Sequence, residues 1–132
     1  MKQLVSELVK RQKDLNIVNL SIILYNLLKI KHDNIEDWKV FMSRYFELLD
    51  DPSQLAIEML DQTLVVMVLN AVSKVLKTRF KEFEKEFLFK ISLRAMQLFE
   101  NFGDGRFDKK GLIMALQSLG RFQEIYKKTN PA

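Results

Sequence analysis

The stretch ENFGDGRFDKKGL, residues 100 to 112, sets two aspartates around a glycine turn, much as an oxygen-ligated calcium loop does. Asp104 and Asp108 supply carboxylates, and Gly105 suits the sharp turn that such a loop makes at its sixth position. In that register the first position falls on Glu100, the third on Phe102 and the twelfth on Gly111. A phenyl ring offers no oxygen, and glycine cannot replace the bidentate glutamate of the twelfth position. Only Asp104 and Asp108 remain as acidic ligands in the middle of the loop, too few for a competent site. The run is better read as a helix stop at Gly103, a turn through Asp104 and Gly105, and a restart capped by Asp108.

Other chemistry is scarce in the chain. With no cysteine it can form no disulfide, iron-sulfur cluster or thiolate zinc site. Its one histidine, His32, follows an expected helix end, where a cation is stabilising. One imidazole without a Glu-x-x-His pair or a cysteine leaves di-iron, zinc-hydrolase and triad chemistry without their partners. Glu58 and Asp61, three residues apart, are the nearest approach to an acid pair, but no imidazole lies near them in sequence. Neither GxxxxGK[ST] nor GxGxxG occurs, so phosphate-cradling loops are missing. We expect no catalytic residue, no metal and no cofactor, and hence no enzyme.

The features that remain concern binding. Lys74, Lys81 and Lys85 lie within roughly 40° of one another on a helical wheel, with Lys77 at the edge, a stripe that could meet nucleic-acid phosphates without reading sequence. Glu82 and Glu86 on the adjoining face give it the alternative reading of a solvated, salt-bridged surface. Asn26 and Asn70, like Asn19, interrupt strongly apolar helices, where an amide can fix a register against a partner. Phe80, Phe83 and Phe87 form an aromatic stripe beside the lysines, so these three and the two asparagines are the candidate interface residues. Met42, Met59, Met67, Met96 and Met114 read as core fillers or as the lining of an adaptable groove.

The elements that would position these residues are helices throughout. Among 132 residues, 48% hydrophobic, there are only four glycines and two prolines, which favours an all-α fold over a turn-rich sheet. A first helix is expected over 2 to 13, with a break near Asp14 to Asn16, and a second to about Lys31 that is apolar around most of its circumference. Asp33 and Glu36 have capping-box spacing for a third helix burying Ile35, Trp38, Phe41, Met42, Tyr45, Phe46 and Leu49. Asp51 and Pro52 mark the start of the next. The fifty residues from Ser53 to Phe102 contain no glycine or proline, and a bend is expected near Lys77 to Arg79, where the apolar face changes. The last helix should turn Leu112, Ile113, Leu116, Leu119, Phe122 and Tyr126 inward. These segments predict a single compact bundle of five or six helices, one domain over 1 to 132, with central apolar helices near 17–31 and 62–77.

Charge is distributed unevenly. Residues 33–61 hold eight acids against two bases, whereas 1–32 hold six bases against two acids and 62–132 thirteen against seven. Acids at helix N-termini complement the helix dipole, and a bipolar surface also suits assembly. The N-terminal stretch mixes charges into its apolar positions, so no secretory signal is read and an intracellular, cytoplasmic location is expected. The longest apolar runs are shorter than a bilayer span, so no membrane partner is expected. Two near-wholly apolar helices in so short a chain need a full set of covering helices or a second subunit. The expected function is therefore a non-catalytic helical interaction or assembly protein that self-associates or serves as a small subunit of a larger complex. A nucleic-acid-binding subunit using Lys74, Lys77, Lys81 and Lys85 is the alternative. No small-molecule substrate is indicated. By analogy of class alone, small basic helical chains of this kind include viral and archaeal-virus structural proteins.

Overall fold

The computed structural model describes residues 2–51, 53 and 55–131. Among these the chain is all helical, a compact bundle of seven α-helices joined by short turns, two more than the lower expectation. They are α1 (Lys2–Lys10), α2 (Ile17–Lys29), α3 (Ile35–Leu49), α4 (Leu55–Glu58), α5 (Gln62–Thr78), α6 (Lys85–Phe102) and α7 (Lys109–Thr129). Three single 3-10 turns, Gln12–Asp14, Phe80–Glu82 and Asp104–Arg106, bridge α1 to α2, α5 to α6 and α6 to α7.

Side-chain caps account for most of the starts. Asn16 and Asn19 exchange hydrogen bonds with each other's backbone N–H, a capping box built from two amides, and α2 begins there. The start of α3 lies one residue beyond the expected Asp33: the Asn34 side chain accepts from the Asp37 N–H at 3.1 Å. The Asp33 carbonyl instead accepts from Arg79 at 2.9 Å. At Asp51 the expectation of a long helix fails. Its carboxylate closes a local turn by accepting from Ser53 N–H at 3.0 Å, and α4 runs for four residues only. Pro52 lies outside the described residues. The real start is Asp61, whose carboxylate accepts from Leu64 N–H at 2.9 Å and caps α5.

The ends are equally local. α2 closes with Lys31 N–H on the Leu28 carbonyl and His32 N–H on the Leu27 carbonyl, the paired bonds of a Schellman motif. Lys31 holds the left-handed position, at φ 54°. His32 then ties α2 to α3: its Nε2 lies 2.8 Å from Asp37 Oδ2, and its carbonyl accepts from the Trp38 indole at 2.9 Å. The expected bend at Lys77 to Arg79 is a full break. Arg79 leaves the helix at φ −112° and clasps Glu82 by donating from Nε and Nη2 to its two carboxylate oxygens. The break also resolves the two awkward charges: Glu84 falls outside α6 and is exposed, while Arg94 reaches the Phe46 carbonyl and the Asp50 carboxylate at the end of α3. Gly103, at φ 95°, stops α6, and Asp108 restarts the chain by accepting from Gly111 N–H at 2.7 Å, as the sequence predicts.

One continuous core runs through α2, α3, α5, α6 and α7, with Val5 of α1 joining it. Trp38, Phe41, Met42, Tyr45 and Phe46 are buried on α3, with Ile35 and Leu49 at its edge. The outer surface of α2 departs from expectation, because Asn19, Ile22, Asn26 and Ile30 face solvent. Asn26 turns its amide back onto the Ile22 carbonyl at 2.9 Å, so neither it nor Asn19 sits in a buried seam.

The helix α5 lies between α2 and α7, and α6 packs along α7 while also touching α5 and α3. α5 and α7 run parallel, since Gln62 meets Asp108 at one end and Ser73 meets Arg121 further along. α6 and α7 form the antiparallel pair, with Phe89 stacked on Tyr126 at 5.0 Å and Phe99 on Phe107 at 5.4 Å.

Candidate functional site

The inward stripe of α7 is Gly111, Ala115, Ser118, Phe122, Ile125 and Thr129. This shifts the expected phase in part: of the residues assigned inward, Phe122 is buried and Leu112, Leu119 and Tyr126 are half-buried, whereas Ile113 and Leu116 are 50% and 53% exposed and Met114 beside them is 39% exposed. The cause is close packing against α5. A Cβ at position 111 would fall 2.4 Å from Gln62 Oε1, so a larger residue there displaces the Gln62 side chain that links α5 to the start of α7. Small residues at 111, 115 and 118 let α7 settle deeply, and the larger apolar side chains rotate to the outside.

The exposed Ile113, Met114 and Leu116 are flanked by exposed Lys109 and Lys110. Met114 also edges a groove of about 330 Å³ bordered by Tyr25, Met67 and Asn70. A second apolar exposure lies at the same end of the bundle. On and after α4, Leu55 is 60% and Met59 49% exposed, among the exposed acids Asp51, Glu58 and Asp61. Two links hold these regions at one end. Arg106 donates to the Leu60 carbonyl at 3.3 Å, and the Gln62 amide accepts from Asp108 N–H at 2.9 Å while donating to its carboxylate at 3.1 Å.

The opposite end of α5 carries the lysines. The break after Thr78 destroys the continuous wheel on which Lys74, Lys81 and Lys85 were aligned. What replaces it is a cleft of about 480 Å³ between the last turn of α5, the Phe80–Glu82 turn and the C-terminal half of α7. Lys77 and Lys81 line it; Lys74 does not, and Lys85 borders a separate hollow with Phe89. Arg79, Arg121 and Lys128 complete the cationic lining. Its two acids are engaged: Glu82 by Arg79, which holds that carboxyl below its ordinary range, and Glu124 by Lys128 at 3.3 Å. Arg121 is half-buried and donates to the Ser73 hydroxyl at 3.1 Å, which in turn donates to the Asn70 carbonyl at 3.1 Å.

The aromatic candidates separate. Phe83 belongs to the core and is withdrawn from the interface set, stacked on half-buried Phe87 at 5.7 Å. Lys39 covers Phe87 and Lys128 covers Phe80. Asn70 lines the groove beside Met114, and Asn26 is exposed on α2. Sequence reasoning missed Arg79, which adjoins Lys77 at the end of α5, and Arg121 and Lys128, which meet it only through the parallel packing of α5 and α7. For the exposed face of α7 a signal was present: small residues at 111, 115 and 118 mark a close-packed seam.

Among the described residues no group of three or more acidic, histidine or cysteine side chains is placed to hold a metal ion. No described helix is long and apolar enough to cross a membrane. Compared with protein-family models, curated proteins and solved structures, the chain matches none of them.

Proposed function

We propose that this chain is a non-catalytic helical interaction protein that self-associates. One observation carries the reading: α7 presents Ile113, Met114 and Leu116 to solvent within a single turn while its small residues face inward. Isolated exposed apolar residues are ordinary, but three together on one turn, next to a groove, are the pattern of a contact surface.

The occupant favoured is a second copy. The α7 surface is rimmed by Lys109 and Lys110, and the neighbouring α4 surface by Asp51, Glu58 and Asp61. Two adjacent patches of opposite rim charge are self-complementary. A two-fold axis sets the α7 patch of each copy on the α4 patch of the other, which gives a closed dimer.

Sedimentation velocity across a concentration series tests this. A concentration-dependent dimer is expected, lost in the double variant Ile113→Ser, Leu116→Ser. Lys110→Glu and Glu58→Lys should each weaken it, and their combination should restore it. A monomer at every concentration would remove the self-association reading.

A further inference from the structure

We infer that the cleft between α5, the Phe80–Glu82 turn and α7 is a binding site for a phosphoryl group, separate from the apolar surface of α7. Five cations line it against two carboxylates, which leaves three positive charges. The cleft lies at the C-terminal ends of two parallel helices, whose dipoles withdraw roughly half a charge each. Lysines at helix ends are often explained by that dipole alone. Here the helix ends offset about one charge of the three, and about two remain.

The cations are also unequally committed. Arg79 and Lys128 hold Glu82 and Glu124, while among the described residues Lys77, Lys81 and Arg121 make no ion pair. Arg121 is the organising group. Its Nη1 is fixed by the fully buried Ser73 hydroxyl, so the guanidinium is held in place before a ligand arrives, with four of its five donors free of that bond. A planar guanidinium tethered at one nitrogen, with two exposed ammonium groups beside it, offers the donors that a tetrahedral oxyanion accepts from. A volume of about 480 Å³ accommodates a diphosphate or one nucleotide unit of a strand. The ligand chemistry is therefore a phosphate, either free or in the backbone of a single-stranded nucleic acid.

Two probes distinguish those sources in low salt: inorganic pyrophosphate, followed by amide shifts in NMR, and a fluorescein-labelled deoxythymidine decamer, followed by anisotropy. Saturable shifts are expected at Lys77, Lys81 and Arg121 with pyrophosphate. Binding of the decamer, weakening as salt rises, would place the phosphate in a strand, and pyrophosphate binding alone would make it a small anion. Either probe should lose roughly tenfold in affinity in Arg121→Gln and in Lys81→Gln, while Lys74→Gln, outside the cleft, changes it less than about twofold. Lys81 is exposed, so its variant serves if Arg121→Gln does not fold. Failure of both probes to saturate in the millimolar range, or an equal loss in Lys74→Gln, would overturn the assignment. Because Ile113 and Leu116 are not touched, a failed dimer test leaves this result interpretable.

Discussion

The parallel helices α5 and α7 lie side by side yet use opposite rules of burial. α5 buries nine residues, among them Val65, Val68, Leu69, Val72, Val75 and Leu76, and is enclosed on two sides by α2 and α7. α7 buries six, half of them Gly111, Ala115 and Ser118, and shows solvent much of its apolar bulk. In α5 stability comes from apolar volume removed from water. In α7 it comes from closeness of approach, which frees the larger side chains for another role.

The sharpest way to break this contrast is truncation. Leu69→Ala should cost about 3 kcal/mol in urea denaturation, since Leu69 is fully buried and leaves a cavity. Leu116→Ala should change monomer stability by less than about 0.5 kcal/mol. Equal losses would mean that α7 buries Leu116 in a way the exposed surface does not show.

The two glycines of α7 sharpen it further. Gly111→Ala forces Gln62 aside and breaks its two bonds to Asp108, at about 1 kcal/mol each, against a propensity gain of up to about 1 kcal/mol. A net loss of about 1 kcal/mol is expected, and thermal melts of Gln62→Ala with and without Gly111→Ala should show the second change to cost less once Gln62 is gone, with only the approach to Asp108 Oδ1 at 3.2 Å left. Gly120 has no atom near its absent Cβ, so Gly120→Ala should stabilise by about 0.5 kcal/mol.

The smallest effect lies at the turn that ends α5. Arg79 lowers the Glu82 carboxyl, so the pair contributes stability above the unfolded value of about 4.3 and loses it as pH falls through the folded value. Both groups are solvent-accessible, so the melting difference between the wild type and Glu82→Gln should be slight at neutral pH and vanish in acid.

Which parts of this were legible follows from where the information sits. The inward face of α3 is readable because Trp38, Phe41, Met42, Tyr45 and Phe46 leave one helical stripe with no rival. In α7 two stripes compete, the one through Ile113 and Leu116 and the one through Gly111, Ala115 and Ser118. Bulk favours the first, and packing against α5 selects the second. The break after Thr78 has the right position but no glycine or proline to announce it. Arg79 makes it, by bonding Glu82 and the distant Asp33 carbonyl. The extra break before Asp61 was hidden because a lone aspartate within an apolar-rich stretch does not declare itself a cap. The basic cleft was half legible: Lys77 and Lys81 were singled out, whereas Arg121 and Lys128 join them only in three dimensions.

The clasp between Gln62 and Asp108 has a consequence for the order in which the molecule assembles. Parallel neighbours cannot meet across a short turn, so α7 reaches α5 only after α6 has carried the chain back along the bundle. The α6–α7 hairpin, closed near its turn by Phe99 and Phe107, is the local and early event, and its docking onto α5 must await closure of a much longer loop. Until residue 108 has been synthesised, one flank of α5 has no covering helix from its own chain. During that interval an apolar flank of α5 stands uncovered by its own chain, and the arrival of α7 closes it.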